Sequence, residues 1–124
     1  MIDHVSIAVR DLAKSADFYE RVLAPLGLSR MIERPGAVGF GKAYPELWLN
    51  ARPSGPSAPE GTGSHVALRA RSQEAVRAFH AAALAHGGRD EGGPGPRPAA
   101  LTAYYGAFIL DPEGNKLEAV NFPG

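Results

Sequence analysis

The chain starts two strands with the same His-Val pair, and this constrains its fold more than any other feature. "MIDHVSIAV" opens the sequence and "GSHVALRA" occupies residues 63–70. A shift of 61 positions (65 minus 4) aligns His4 with His65, Val5 with Val66, Arg10 with Arg71, Phe18 with Phe79 and Gly27 with Gly88. One histidine at the start of a strand is commonplace. Two at matching positions, within the same order of elements, indicate a duplicated unit whose copies converge on one point.

Each half reads as a strand, a helix and then further strands. Residues 2–9 alternate, with Val5, Ile7 and Val9 on one face and Ile2, His4, Ser6 and Ala8 on the other. Asp11 is placed to cap a helix whose stripe is Leu12, Ala16, Tyr19 and Leu23, widened by Phe18 and Val22. Pro25 and Gly27 stop it, and strands are expected near 28–33, 37–41 and 46–50. In the second half a strand at 65–70 precedes Ser72, a second N-cap. Val76, Phe79, Ala83 and Leu84 form the helical stripe, and Gly87-Gly88 ends it. Strands near 104–110 and 116–121 flank the turn "DPEGN", with a weaker one around 89–91. "ARPSGPSAPEGTG" (51–63) and "GGPGPRPAA" (92–100) are rich in breakers and read as loops. His80 and His86 fall on the second helix and are expected to face solvent. The reading is α+β: one domain over 1–124, with a first module at 1–52, a linker at 53–63 and a second module at 64–124.

Composition narrows the partners. The 13 basic and 13 acidic residues cancel, so no basic surface for nucleic acid or an anionic membrane is expected. No apolar run is long enough to span a bilayer. The N-terminus lacks a basic segment followed by an apolar core, so no secretory signal is expected and a cytoplasmic protein is the default. The absence of cysteine removes disulfides, thiolate zinc sites and cysteine nucleophiles. Two small modules leave sheet edges and apolar surface that a second copy would cover, so a homodimer is expected.

Three chemically able side chains share one kind of position. His4, His65 and Glu118 all fall on the strand faces opposite the helix-packing residues, Glu118 because "NKLEAVN" alternates Leu117 and Ala119 against Lys116, Glu118 and Val120. Two neutral imidazoles and a carboxylate suit a borderline divalent cation.

The stretches "DHVSIAVRDLAKSADFYERVLAPLG", "GSHVALRA" and "YYGAFILDPEGNKLEAV" resemble the vicinal-oxygen-chelate superfamily, which includes glyoxalase I, extradiol dioxygenases and bleomycin- or fosfomycin-resistance proteins. The resemblance implies paired βαβββ modules whose mixed, curved sheets enclose a cleft. It also implies that His4, His65 and Glu118 match three usual metal positions for a divalent ion such as Zn, Ni, Fe, Mn or Co. The fourth position falls on "PELWLN", where one alignment selects Glu46 and another Trp48. With Glu46, the set is 2-His-2-carboxylate, and a mobile carboxylate, Glu118 or Glu46, can transfer a proton beside a polarised carbonyl. With Trp48, three ligands remain and the indole is an aromatic wall or ordinary core. Arg97 is a candidate for binding an anionic substrate, and Tyr104 or Tyr105 for stacking or a hydrogen bond. Two functions follow: a small metal-dependent lyase, isomerase or dioxygenase acting on an oxygen-rich or carbonyl substrate, or a binding protein that sequesters a small molecule.

Overall fold

The computed structural model describes residues 1–98 and 101–123. The first half is β1 (Val5–Val9), α1 (Leu12–Leu23), a 3-10 turn (Ala24–Leu26), β2 (Ser29–Arg34), β3 (Ala37–Gly41) and β4 (Pro45–Ala51). The second is β5 (Val66–Arg69), α2 (Gln73–Ala85), β6 (Arg89–Arg97), β7 (Tyr104–Leu110) and β8 (Lys116–Asn121). The strands form two mixed four-stranded sheets, ordered β1-β4-β3-β2 and β5-β8-β7-β6. In each, the first strand pairs parallel with the last and the others pair antiparallel. Residues 52–65 hold no helix or strand.

The helices form where the caps and apolar spacing require. The Asp11 side chain accepts from Lys14 N–H and that of Ser72 from Ala75 N–H. Gly27 ends the first helical segment at φ +83°, a left-handed conformation that favours glycine. Helix α1 buries Phe18, Tyr19, Val22 and Leu23 on its sheet, and α2 buries Val76, Phe79 and Ala83. The helices also pack on each other, so Val9, Phe40 and Leu49 share one core with Ile109, Leu117 and Ala119.

The "DPEGN" turn locks the halves together. Asp111 is fully buried, and its carboxylate accepts from Tyr19 O–H at 2.6 Å, from the Asn115 side chain, and from Glu113 N–H and Asn115 N–H. Glu113 reaches the start of α1, accepting from Arg10 N–H, Asp11 N–H and the Ser15 hydroxyl at 2.6, 2.9 and 3.2 Å. Helix α1 has no acidic residue in its own first turn. Glu113 therefore supplies both acceptors for its free N–H groups and negative charge for its dipole.

Two expectations need correction. The breaker-rich 92–97 segment is not a loop: β6 runs to Arg97 with register shifts around Gly92 and Gly95. It is an edge strand, where proline removes no needed ladder bond and glycine accommodates a bulge. His80 does not face solvent, since its side chain is only 12% exposed and its Nε2 lies 2.8 Å from Asp90 on β6. His86 is exposed at the end of α2, as its position implies.

Candidate functional site

Strand register sets the site. Val5 lies opposite Leu47, and Val66 opposite Leu117. Since His4 precedes Val5 as His65 precedes Val66, the counterpart of Glu118 is Trp48, and the counterpart of Glu46 is Lys116. By register the indole, not the Glu46 carboxylate, stands where the second module has Glu118. Trp48 lies across Gly39 on β3, and the Arg34 guanidinium sits 5.3 Å from its ring centre.

The second sheet carries a compact polar cluster on its helix-free face. His65 Nε2 lies 3.2 Å from Glu118 Oε1, and Tyr104 O–H donates to Glu118 Oε2 at 2.6 Å. The Glu118 side chain is only 5% exposed, whereas that of His65 is 31% exposed. The hydrogen bond to Glu118, with a smaller contribution from burial, raises the Tyr104 pKa above the ordinary phenol value and keeps it a donor. The edge of the His65 ring meets Phe108, 5.3 Å between centroids. A cleft of about 450 Å³ opens beside His65 between Ile7, the linker and Lys116.

The tautomer of His65 follows from its partners. Its Nδ1 is 2.8 Å from the Gly63 carbonyl, an acceptor, so Nδ1 carries a hydrogen. A neutral ring then turns the Nε2 lone pair toward a carboxylate oxygen. Two acceptors at 3.2 Å need a cation or a second imidazole proton between them. This donor set fits a divalent metal, with the backbone carbonyl orienting the ring as outer-sphere partners do.

His4 does not join this cluster within one chain. It is half exposed, and its Nδ1 contacts Asp3 at 2.7 Å. Among the described residues no three His, Asp or Glu side chains converge on a point that could hold one ion. Arg97 turns its guanidinium onto the Gly93 and Pro96 carbonyls of its own strand, next to Tyr104 across the β6–β7 pair. Tyr105 points the other way, where Arg77 on α2 donates to its hydroxyl. Sequence reading missed Arg69, Phe108 and Phe122, although their period-two spacing from the site residues was available as a signal.

Comparison with known proteins agrees with this architecture. The chain belongs to the Glyoxalase/Bleomycin resistance protein/Dioxygenase superfamily, whose family model matches residues 1–119. A glyoxalase/bleomycin resistance protein from Albidiferax ferrireducens is 33% identical, with a TM-score of 0.86 over 97% of this chain and 98% of its own. A glyoxalase I variant from Zea mays is 25% identical with a TM-score of 0.71, covering 95% of this chain and 44% of that one. A fosfomycin resistance protein from Listeria monocytogenes is similar in fold, at 19% identity and a TM-score of 0.71 over 99% of this chain and 93% of its own. A comparison with curated protein sequences gave no match. No helix among the described residues is long and apolar enough to cross a membrane.

Proposed function

We propose that the chain works as a homodimeric metal-dependent enzyme on a small oxygen-rich or carbonyl substrate. In this reading His65 and Glu118 of one copy and His4 of a second copy hold one divalent ion. The observation that carries it is the approach of His65 Nε2 to Glu118 Oε1 at 3.2 Å, two atoms that one divalent ion could bridge. His4 holds the matching place in the other module, yet stands apart from them in a single chain. A three-ligand set therefore needs another copy, and β1 and β5 are free sheet edges in each chain.

A bound divalent ion would supply a Lewis acid for a chelated carbonyl or hydroxyl oxygen. The rest falls to this chain's own groups. Gly63 O fixes the imidazole tautomer, and Tyr104 holds Glu118 Oε2 so that the carboxylate keeps its direction. Phe108 packs against the His65 ring, and Trp48, on the module that carries His4, would wall the site from the second copy. Tyr104, kept protonated, can pass its hydrogen bond from Glu118 Oε2 to a substrate oxygen. Glu46, two residues before the position that matches Glu118, is outside the set.

Zinc titration of the tag-free protein, with light scattering, tests this reading. We expect a dimer binding one ion per chain, loss of binding in His4→Ala and in His65→Ala, and no change in His86→Ala. A mixed dimer of His4→Ala and His65→Ala should regain half of the sites, because one interchain set is then intact. A monomer that binds no metal would instead support the reading as a sequestering protein.

A further inference from the structure

A continuous row of side chains crosses the helix-free face of the second sheet, and the metal reading uses only its middle. From one end it runs Arg69, Phe122, Tyr104, Glu118, His65, Phe108, Lys116. The Arg69 guanidinium carbon is 4.8 Å from the centre of the Phe122 ring, and Phe122 lies 5.6 Å from Tyr104. Beyond the Tyr104–Glu118–His65 hydrogen bonds, Lys116 Nζ is 4.7 Å from the Phe108 ring centre. The His65–Glu118 pair sits at the centre, aromatic rings flank it on each side, and a cation closes each end.

The two ends differ in how their cations are engaged. At the Lys116 end the charges are already matched, with Lys116 3.8 Å from Glu91 and Arg89 2.9 Å from Glu60. At the other end Arg69 makes no ion pair among the described residues. It shares a cleft of about 160 Å³ with Lys42 and Glu46, and its guanidinium carbon lies over the Phe122 ring. A guanidinium held over a ring, with no carboxylate paired to it, retains N–H donors for a planar, two-oxygen acceptor.

We propose that Arg69 binds a carboxylate of the substrate, which is a planar organic acid whose other oxygens face the His65–Glu118 pair. The inference deepens the reading above, since it assigns the substrate class of the same face. Strand geometry sets the reach. Ala67 lies opposite Glu118, and Arg69 is two residues further along β5. That is roughly 7 Å at the usual rise per residue, about the span of one aromatic ring. Phe122 and Tyr104 lie between them, their ring centres 5.6 Å apart, and a ring bound there would meet aromatic neighbours.

Catechol and protocatechuate test this, because they share a ring and two chelating oxygens and differ by one carboxylate. Each is titrated calorimetrically into the full chain, with and without zinc. We expect protocatechuate to bind about tenfold more tightly in both conditions. Arg69→Gln should bring the ratio close to unity, and Arg69→Lys should leave an intermediate one, because a point charge replaces the fork. Arg71→Gln, an exposed cation outside the row, should keep the wild-type ratio. Equal affinities for the wild type, or no binding of either probe at millimolar concentration, would overturn the inference. A preserved tenfold preference without any zinc binding would overturn only the metal reading. Should Arg69→Gln fail to fold, the wild-type ratio and Arg69→Lys decide the matter.

Discussion

The two sheets share one scaffold and differ most plainly at one facing pair. In the first, Trp48 on β4 lies opposite Gly39 on β3. In the second, Glu118 on β8 lies opposite Phe108 on β7. The aromatic bulk has changed strands. In the first sheet the indole fills the place of a carboxylate, and the missing Cβ at Gly39 leaves it room. In the second, the ring stands one strand over and a carboxylate occupies the freed place. The histidines differ as well: His4 is paired with an exposed Asp3, while His65 is fixed by a backbone carbonyl and faces Glu118. Duplication therefore fixes where four positions lie, and the choice of side chains at one cross-strand pair decides which copy presents a carboxylate beside its histidine.

The most direct way to break this contrast is to neutralise the two strand carboxylates in turn. Glu118→Gln should lower zinc affinity about a hundredfold or more, whereas Glu46→Gln should stay within about twofold. Trp48→Glu should raise affinity, since it restores a carboxylate at the counterpart position. Competition against a chromophoric chelator measures all three. Equal losses for Glu118→Gln and Glu46→Gln would show that register does not select the ligand.

The second contrast lies in the turns that precede β4 and β8. The first, Gly41–Tyr44, has exposed Lys42, Ala43 and Tyr44. The second, Asp111–Gly114, is tied to α1 of the other module through Tyr19 and Glu113. Asp111→Ala leaves the Tyr19 hydroxyl and two turn N–H groups without their acceptor, and should cost about 3 kcal/mol. Lys42→Ala should change stability by no more than about 0.5 kcal/mol. Urea unfolding reads both. The same turn gives an alkaline signature. Burial, then the charge and hydrogen bond of Asp111, raise the Tyr19 pKa well above the ordinary value. The folded state thus favours the neutral phenol. That contribution is full below the unfolded pKa of about 10 and is lost as pH rises, because the unfolded chain ionises first. Tyr19→Phe should be less stable at neutral pH and should lose less stability on going to high pH.

Much of this was legible in the sequence because it is local. Asp11 and Ser72 cap their helices through contacts three residues away, and Val5, Ile7 and Val9 alternate whatever their strand partners are. The turn at Pro112 and Gly114 depends on backbone dihedrals that those residues favour, and Gly114 does take φ +97°. What could not be read depends on partners far along the chain. The choice between Glu46 and Trp48 is a matter of register between β1 and β4, which a two-residue slip changes without altering any face. The strand at 92–97 defies its Pro and Gly content because it has only one neighbour. Tyr104 was nameable as a hydrogen-bonding candidate, but its partner, Glu118, follows only from the β7–β8 pairing. The separation of His4 from His65 and Glu118 depends on how the modules sit together, on which strand periodicity is silent.

A smaller effect sharpens the role of the tyrosine pair. Tyr104 lies on the polar face of β7 and Tyr105 on the helix face. Tyr104→Phe removes the donor that orients Glu118 and should weaken zinc binding about tenfold, as losses of outer partners do. Tyr105→Phe should leave zinc affinity unchanged. Equal affinity for Tyr104→Phe and wild type would make that hydrogen bond structural only.

The smallest expected effect isolates the indole. A Cβ at Gly39 would lie 3.0 Å from both the Trp48 ring and the Pro45 side chain, so the neighbours must shift. The ring has the freer direction, toward the half-open face, and Gly39→Ala should push it that way at a cost of about 1 kcal/mol. Trp48 is the only tryptophan, so its emission reports the movement without interference. A red shift is expected, because the displaced ring meets more water. Gly36→Ala is the matched control on the same hairpin, where a Cβ meets nothing within 4 Å. It should leave emission unchanged and stability within about 0.5 kcal/mol. If Gly39→Ala leaves both emission and stability unchanged, the glycine is not what makes room for the indole, and the swap of aromatic bulk between the two sheets has another cause.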